Sequence, residues 1–321
     1  MSKKIKLIFL SSSDFGIPIL KKLVLDARFL TLALITLPDR PKGRGMKTIF
    51  SPIKKTALDL GIKVLEFEKG GIQDLEEEIK QIAPDIMLIA SFGKIIPASF
   101  LNIPPCGVLN IHPSLLPKFR GPSPIQSAIL EGKKETGVTI ILTDEKTDHG
   151  PILKISNLKS QISKISYTEL HNKLAGLGAE MICGTVFDWV SGKIKAVAQN
   201  ESEATYTKKI KKEDGKVDWN DSATAIERKI RAYKTWPTAY FFIEKDGNII
   251  RIQVLEAAAV NFNELNKKAG EFFEAEGSFA AQTGNGILKL IKIKPESKKE
   301  MSGKDFLRGY KKFLNLKQKN L

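Results

Sequence analysis

Through the first two-thirds of the chain, short apolar runs alternate with amphipathic stretches, and this rhythm restricts the fold more than any other feature. Ile5–Leu10 reads as a strand and is followed by a helical segment from Phe15 to about Ala27. The strand pattern returns at Leu30–Leu37, Lys63–Phe67, Ile86–Ala90 and Gly107–Ile111, with amphipathic stretches such as Ile53–Leu60 and Leu75–Ile82 between them. This alternation predicts an α/β fold with an open, mostly parallel sheet. Ligands in such folds sit outside the carboxyl ends of the strands. The first strand–helix turn, Ser11-Ser12-Ser13-Asp14-Phe15-Gly16, lacks the triple-glycine pattern of dinucleotide folds, which argues against a nicotinamide cofactor.

A long helix closes this region. Ser166 and Glu169 form a capping box, and Leu170, Leu174, Leu177, Met181, Val186 and Trp189 recur at helical spacing before Gly192, the expected stop. His171 on this helix reads as a surface or packing histidine. The next stretch, 196–215, is polar and charge-rich and reads as a linker. Beyond a short helix through Ile226–Tyr233 the pattern changes to strands with turn signals. These are Ala239–Ile243, Asp246-Gly247, Ile249–Ala257, Gly284-Asn285-Gly286 and Ile287–Ile293, a series that predicts a small β-barrel. A helix over Lys304–Leu316 follows. The expected domains are therefore 1–195 and 216–321, and 321 residues suffice for two separate cores.

The formal charge is +15, and its distribution is uneven. Lys292–Leu321 holds 10 Lys/Arg against 3 Asp/Glu, which equals the whole cationic excess of residues 201–321. A basic surface gathered at one end favours a polyanion such as nucleic acid; a generally lysine-rich composition is the competing explanation. The two cysteines, Cys106 and Cys183, make neither a metal pattern nor a disulfide framework. The start leads directly into a strand, and no apolar run is long enough to span a bilayer. The expectation is a soluble cytoplasmic protein with no metal and no membrane partner.

Chemistry concentrates in Asn110-Ile111-His112-Pro113-Ser114-Leu115-Leu116-Pro117, with Asp148 on a later loop. Asn110 and His112 are two apart, so on a strand they project to the same side. An amide and an imidazole can each donate a hydrogen bond to a carbonyl oxygen that is gaining negative charge, and a carboxylate can orient the imidazole or take a proton from an attacking amine. This is equipment for group transfer between carbon centres and needs no metal. Taken singly, the three residues would read as a turn, a strand cap and a loop acid; their combination with the proline-stiffened loop favours catalysis. His149 is the rival imidazole.

Asn110-x-His112-x-Ser114-Leu115-Leu116-Pro117, then Arg120-Gly121-x-x-Pro124-Ile125 and Asp148-x-Gly150, resembles the signature of the 10-formyltetrahydrofolate-dependent formyltransferases. The resemblance extends to Pro38-Asp39-Arg40-Pro41-x-Gly43-Arg44-Gly45, Ser51-Pro52-Ile53-Lys54, Ser91-Phe92-Gly93-Lys94-Ile95-Ile96-Pro97, Glu135-Thr136-Gly137-Val138-Thr139, and Ile230-Arg231-Ala232-Tyr233 leading to Trp236-Pro237. It runs nearly end to end with members of the family that act on initiator methionyl-tRNA.

The resemblance implies a Rossmann-like formyltransferase domain followed by an OB-like β-barrel that binds tRNA. It implies 10-formyltetrahydrofolate as formyl donor, initiator methionyl-tRNA as acceptor, and Asn110, His112 and Asp148 as the catalytic residues; a monomer is expected. The folate site is expected at Ser114, Leu115, Leu116 and Pro117, with the two leucines as an exposed apolar rim, and at Phe92, Gly93 and Ile95. Arg120 is expected to shape the following helix start, near an acidic substrate group. The basic loop Pro38–Pro52, too broken for regular structure, is expected to meet the tRNA acceptor end through Arg40, Lys42, Arg44 and Lys47. The chain departs from the family pattern at Ser11-Ser12-Ser13, Pro113 and His149. The alternative reading is formyl transfer to a small amine such as glycinamide ribonucleotide or an amino sugar nucleotide; a non-catalytic RNA-binding protein is a third.

Overall fold

The computed structural model describes residues 3–39, 41–42, 47–48, 50–67, 71–158, 162–245, 247–262, 264 and 267–310. The chain divides into two compact units. One comprises Met1–Pro124, Glu135–Ser160 and His171–Lys208; the other comprises Ile125–Lys134, Gln161–Leu170 and Lys209–Leu321.

The elements run β1 (Ile5–Leu10), α1 (Gly16–Leu25), β2 (Phe29–Thr36), β3 (Pro41–Lys42), β4 (Lys47–Thr48), α2 (Pro52–Asp59), β5 (Lys63–Glu66), α3 (Glu76–Ile82), β6 (Ile86–Ile89), α4 (Ala98–Leu101), β7 (Val108–His112), α5 (Pro124–Leu130), β8 (Gly137–Leu142), β9 (Ile152–Asn157) and α6 (Tyr167–Val190). The first unit is built on a seven-stranded sheet of order β5-β2-β1-β6-β7-β8-β9. Its first five strands pair in parallel, while β8 runs antiparallel to β7 and to β9. Leu7, Ile8, Phe9 and Leu10 of β1 are wholly buried, as are Ile86, Met87 and Leu88 of β6. Strands covered on both faces read as continuous apolar runs, which is why the parallel core is predictable. The mostly parallel sheet matches expectation; the antiparallel pair β8–β9 goes beyond it.

Strand order reverses between β1 and β6, so the loops after these strands meet at a switch point. Ser12 closes this junction: its N–H donates to the Ser91 carbonyl at 3.0 Å and its hydroxyl to the Phe92 carbonyl at 2.7 Å. The long helix α6 begins as expected, with the Ser166 N–H donating to the Glu169 carboxylate at 2.9 Å. It ends at Val190, shortly before Gly192.

In the second unit, α7 (Ala223–Ala232) precedes β10 (Ala239–Lys245), β11 (Asn248–Val260), β12 (Phe272–Ala275), β13 (Ser278–Gln282), β14 (Ile287–Pro295), β15 (Met301–Ser302) and α8 (Gly303–Tyr310). The strands form an antiparallel half-barrel with neighbours in the order β10-β11-β14-β13-β12, and β15 pairs with β14. Its core is aromatic. The Phe241 and Phe272 rings stack at 5.0 Å, Phe272 and Phe279 at 5.3 Å, and Phe279 reaches Phe306 of α8 at 4.9 Å. Trp219 packs edge-on against both Phe241 and Phe272.

Two local expectations need correction. The Pro38–Pro52 loop contains regular pairing after all: β3 and β4 are antiparallel, with Pro41 opposite Thr48 and Lys42 opposite Lys47. Pairings of two residues need no sustained alternation, so the sequence pattern gives no sign of them. The stretch 196–215 is tied down rather than free over its first part. Val197 exchanges two backbone hydrogen bonds with Ile152, and the Arg120 backbone donates to the Thr205 carbonyl and accepts from the Thr207 N–H. Among the described residues, no helix is long and apolar enough to cross a membrane.

Candidate active site

Strand β7 delivers Asn110 and His112 from the same face at its carboxyl end. The turn beyond it is pinned through Thr139, which lies opposite His112 in the sheet register. The Thr139 hydroxyl donates to the Ser114 carbonyl at 2.7 Å and accepts the Leu116 N–H at 3.1 Å. The Ser114 hydroxyl donates to the Lys118 carbonyl at 2.7 Å, closing the loop on itself.

Asp148 comes from the loop between β8 and β9 and joins both β7 side chains. One carboxylate oxygen accepts the Asn110 amide N–H at 2.9 Å. The other accepts the Gly121 N–H at 2.7 Å and lies 3.4 Å from His112 Nδ1. The His112 and Asp148 side chains are only 5% and 12% exposed. His112 Nε2 sits 2.9 Å from the Phe119 carbonyl. A carbonyl only accepts, so Nε2 carries hydrogen and Nδ1 is the ring position left for proton exchange. One of the two Asn110 amide hydrogens is committed to Asp148.

Backbone conformation makes these contacts available. Asp148 itself adopts a left-handed φ of 49°, and Gly121, whose N–H reaches the carboxylate, has φ 104°. Gly150 has no room for a side chain, since a Cβ there would fall 1.8 Å from the Leu142 carbonyl oxygen.

The structure therefore brings Asn110, His112 and Asp148 into one cluster. His149 is not part of it: its ring nitrogens face Asp144 and, at 3.5 Å, Glu201. His171 is buried, edge-on to the Phe15 ring, with Nε2 3.4 Å from Asp14.

Arg120 corrects an expectation. Instead of facing a substrate acid it is wholly buried. Its guanidinium donates to Gln199 Oε1 at 2.8 and 3.1 Å, to the Glu201 carboxylate at 2.6 and 3.0 Å, and to the Tyr206 hydroxyl at 3.0 Å. The bond from Arg120 holds the Glu201 carboxyl below its usual range. Gln199 and Glu201 escape sequence reasoning because they lie within the stretch that reads as a linker; a glutamine and a glutamate two apart in a polar segment carry no signal.

The folate candidates divide. Phe92 is buried and its ring lies 6.1 Å from that of Phe67, Ser114 is buried, and Leu116 is 3% exposed. The expected rim of two exposed leucines is thus reduced to Leu115, which is half-buried beside the half-buried Pro117; the Thr139 pin turns Leu116 inward. Gly93 and Ile95 are exposed, and Ile95, at 84%, offers a large free apolar side chain near the β1/β6 junction. Of the tRNA candidates, Lys42 and Lys47 lie on β3 and β4, while Arg40 and Arg44 fall outside the described residues. Lys311, Lys312, Lys317 and Lys319 of the basic tail and the end of the helix expected at Lys304–Leu316 also fall outside them. Among the described residues, no group of three or more His, Cys, Asp and Glu side chains is arranged to hold a metal ion.

Comparison with known proteins agrees with this architecture. Residues 5–186 match the formyl transferase family, and residues 209–311 match the formyl transferase C-terminal domain. The chain belongs to the formyl transferase family and is an enzyme of formyl transfer. Within that family it is 40% identical over 305 residues to a protein of Hydrogenobaculum sp. named methionyl-tRNA formyltransferase, covering 95% of this chain and 97% of that one. A protein of the same name from Caldanaerobacter subterraneus subsp. tengcongensis is 36% identical over 306 residues, again covering 95% and 97%. Among solved structures, HypX from Aquifex aeolicus in complex with tetrahydrofolic acid superposes with a TM-score of 0.61 at 18% identity. That match covers 97% of this chain and 48% of HypX, so it bears on the fold alone.

Proposed function

We propose that the chain transfers the formyl group of 10-formyltetrahydrofolate to the α-amine of methionine on initiator methionyl-tRNA, acting in the cytoplasm as a monomer. The observation that carries this reading is the joining of Asn110 and His112 by the Asp148 carboxylate at the end of β7, in a chain whose near-full-length relatives bear that name.

The donor supplies a formyl carbon bonded to the folate nitrogen N10. The second amide hydrogen of Asn110 donates to the formyl oxygen as the amine lone pair forms the new C–N bond and the carbonyl π pair moves onto oxygen. His112 Nδ1 takes the proton that the attacking nitrogen must lose. With Nε2 fixed on the Phe119 carbonyl, the ring remains in one orientation in both protonation states. Asp148 stands 3.4 Å from Nδ1 and compensates the imidazolium. The same proton passes from Nδ1 to N10 as the carbonyl re-forms and the C–N10 bond breaks. Net, a formyl group moves from N10 to the α-nitrogen and a proton moves the other way. Exposed Ile95, Gly93 and half-buried Leu115 and Pro117 are proposed to seat the flat folate ring, with buried Phe92, Ser114 and Leu116 supporting that surface from below. Arg40, Lys42, Arg44 and Lys47 are proposed to meet the acceptor end of the tRNA, and the second unit its body.

The test is formylation with charged initiator tRNA, glycinamide ribonucleotide and an amino sugar nucleotide side by side, each with 10-formyltetrahydrofolate. The expected result is turnover on the tRNA alone; preference for either small amine would overturn the acceptor assignment.

A further inference from the structure

We propose that Gln199 is a positioning residue that sets the Asp148 loop for catalysis, with Arg120 as its anchor. This rests on the formyl-transfer reading and adds to it a part that lies 51 residues from Asp148 in sequence.

The side-chain amide of Gln199 is fully used, and each bond has a direction. Its two N–H groups donate to the carbonyls of Asp148 at 2.8 Å and Gly150 at 2.7 Å, which clamps the loop on both sides of His149. Its oxygen accepts two N–H groups of Arg120, at 2.8 and 3.1 Å, a fork that fixes the amide plane. Arg120 is in turn immobile. Its charge is met by Glu201, Tyr206 takes a further N–H, and its backbone is held on both sides by Thr205 and Thr207. A buried arginine with all its directions engaged inside the protein has no free charge to offer a substrate; its function is internal.

What it holds is the catalytic cluster. Residues 119–121 address both members of the His112–Asp148 pair from one short segment. The Phe119 carbonyl accepts His112 Nε2, the Gly121 N–H donates to the Asp148 carboxylate, and the Arg120 side chain reaches the Asp148 carbonyl through Gln199. Phe119 and Gly121 both have positive φ, at 62° and 104°, so the chain turns sharply on each side of Arg120 to present these groups. Asp148 also sits in a left-handed conformation that a non-glycine residue adopts reluctantly. Without the Gln199 clamp the loop is free to relax toward ordinary φ values. That rotation carries the carboxylate away from Asn110 and His112. Misplacement of a reacting group by about 1 Å can cost on the order of a hundredfold in rate.

The test uses two variants of the full chain. Gln199→Glu keeps the shape and the oxygen facing Arg120, but replaces the N–H donors with an oxygen opposed to two carbonyls. Gln199→Met removes the polar contacts with similar bulk and no added charge. For both, the expected result is a fall in kcat of about tenfold to a hundredfold. KM for the donor and acceptor should stay within about threefold, since neither binding surface is altered. A role confined to folding would instead lower the melting temperature and leave kcat per folded molecule at the wild-type value; that outcome overturns the proposal. The wild type is run on the same acceptor panel. If it prefers another acceptor, the function reading fails, and the kcat comparison, made on that acceptor, still decides whether Gln199 positions the loop.

Discussion

Replacing Asp148 by asparagine keeps the shape of the side chain and removes its charge, so it separates catalysis from folding. In the wild type one carboxylate oxygen faces the Asn110 amide at 2.9 Å, and the other faces the Gly121 N–H at 2.7 Å and His112 Nδ1 at 3.4 Å. The new amide must turn its NH2 toward one of these donors. The Gly121 N–H cannot reverse, whereas Asn110 can flip and offer its oxygen. The relaxed variant therefore keeps two hydrogen bonds, and what it loses in stability is the charge-assisted part of the Gly121 and Asn110 bonds, about 2 kcal/mol together. For a unit of this size that corresponds to a fall in melting temperature of roughly 4–8 °C. Turnover loses far more, because the imidazolium is no longer compensated and the flipped Asn110 withdraws its donor. Each effect is worth about a hundredfold or more, and since they act on one transition state they do not simply multiply. The expected loss is about a thousandfold, or roughly 4 kcal/mol of transition-state stabilisation. Single-turnover formylation at saturating donor, with thermal melts on the same preparations, measures both quantities. A folded Asp148→Asn variant within about tenfold of the wild-type rate would refute the reasoning.

Arg44→Ala should raise KM for the charged tRNA by about tenfold or more and leave affinity for the folate donor unchanged; loss of donor affinity would move the loop into the folate site. Neutralising Lys311, Lys312, Lys317 and Lys319 should make tRNA binding less salt-dependent, lowering the log–log slope by about 0.7–0.9 for each phosphate that a lysine no longer neutralises; an unchanged slope would assign these lysines to solubility. The Asp14–His171 pair should couple in a pH-dependent way. Burial alone would lower the His171 pKa, but the bonds to Asp14 and Asn172 outweigh it and raise it above 6.5, while the His171 bond holds Asp14 below 3.8. The raised histidine contributes stability that is complete below about pH 6.5 and fades as pH rises through its folded value; the lowered aspartate contributes above about pH 4 and loses it on acidification. Asp14 is largely exposed, so a double-mutant cycle with Asp14→Asn and His171→Gln should give less than about 1 kcal/mol of coupling at pH 5.5, vanishing by pH 8.5. Equal coupling at both pH values would contradict the charge pairing.

The parallel core is legible because strands buried on both faces have no choice of composition: Leu7–Leu10 and Ile86–Ile89 must be apolar throughout. Strands β8 and β9 are harder. They follow the turn after β7 in an antiparallel arrangement that βαβ alternation does not announce, and β9 reads Ile-Leu-Lys-Ile-Ser-Asn with a mixed face. Strands β12 and β13 escape for a local reason. Their hairpin turns at Glu276-Gly277, both at positive φ, rather than at the Asn-Gly or Asp-Gly that usually marks such turns, and the strands contain alanines of poor strand propensity. Asn110 and His112 are legible from their period-two spacing on a strand. Arg120 is not, because arginines are seldom fully buried and an acidic ligand is the ordinary guess for one beside a site. Gln199 cannot be found from sequence, since its partners, Asp148, Gly150 and Arg120, lie 49 to 79 residues away.

The central claim is that His112, held by Asp148 and the Phe119 carbonyl, moves the proton in formyl transfer to methionyl-tRNA. It is tested most directly by mass spectrometry of the aminoacyl group released from initiator tRNA after incubation with 10-formyltetrahydrofolate, for the wild type and for His112→Ala at matched donor occupancy. The wild type should add one formyl group to the methionine α-nitrogen, and folded His112→Ala should do so at least about a hundredfold more slowly with unchanged donor affinity. Formylation by His112→Ala at the wild-type rate, or a wild type that leaves methionyl-tRNA unformylated, would contradict the claim.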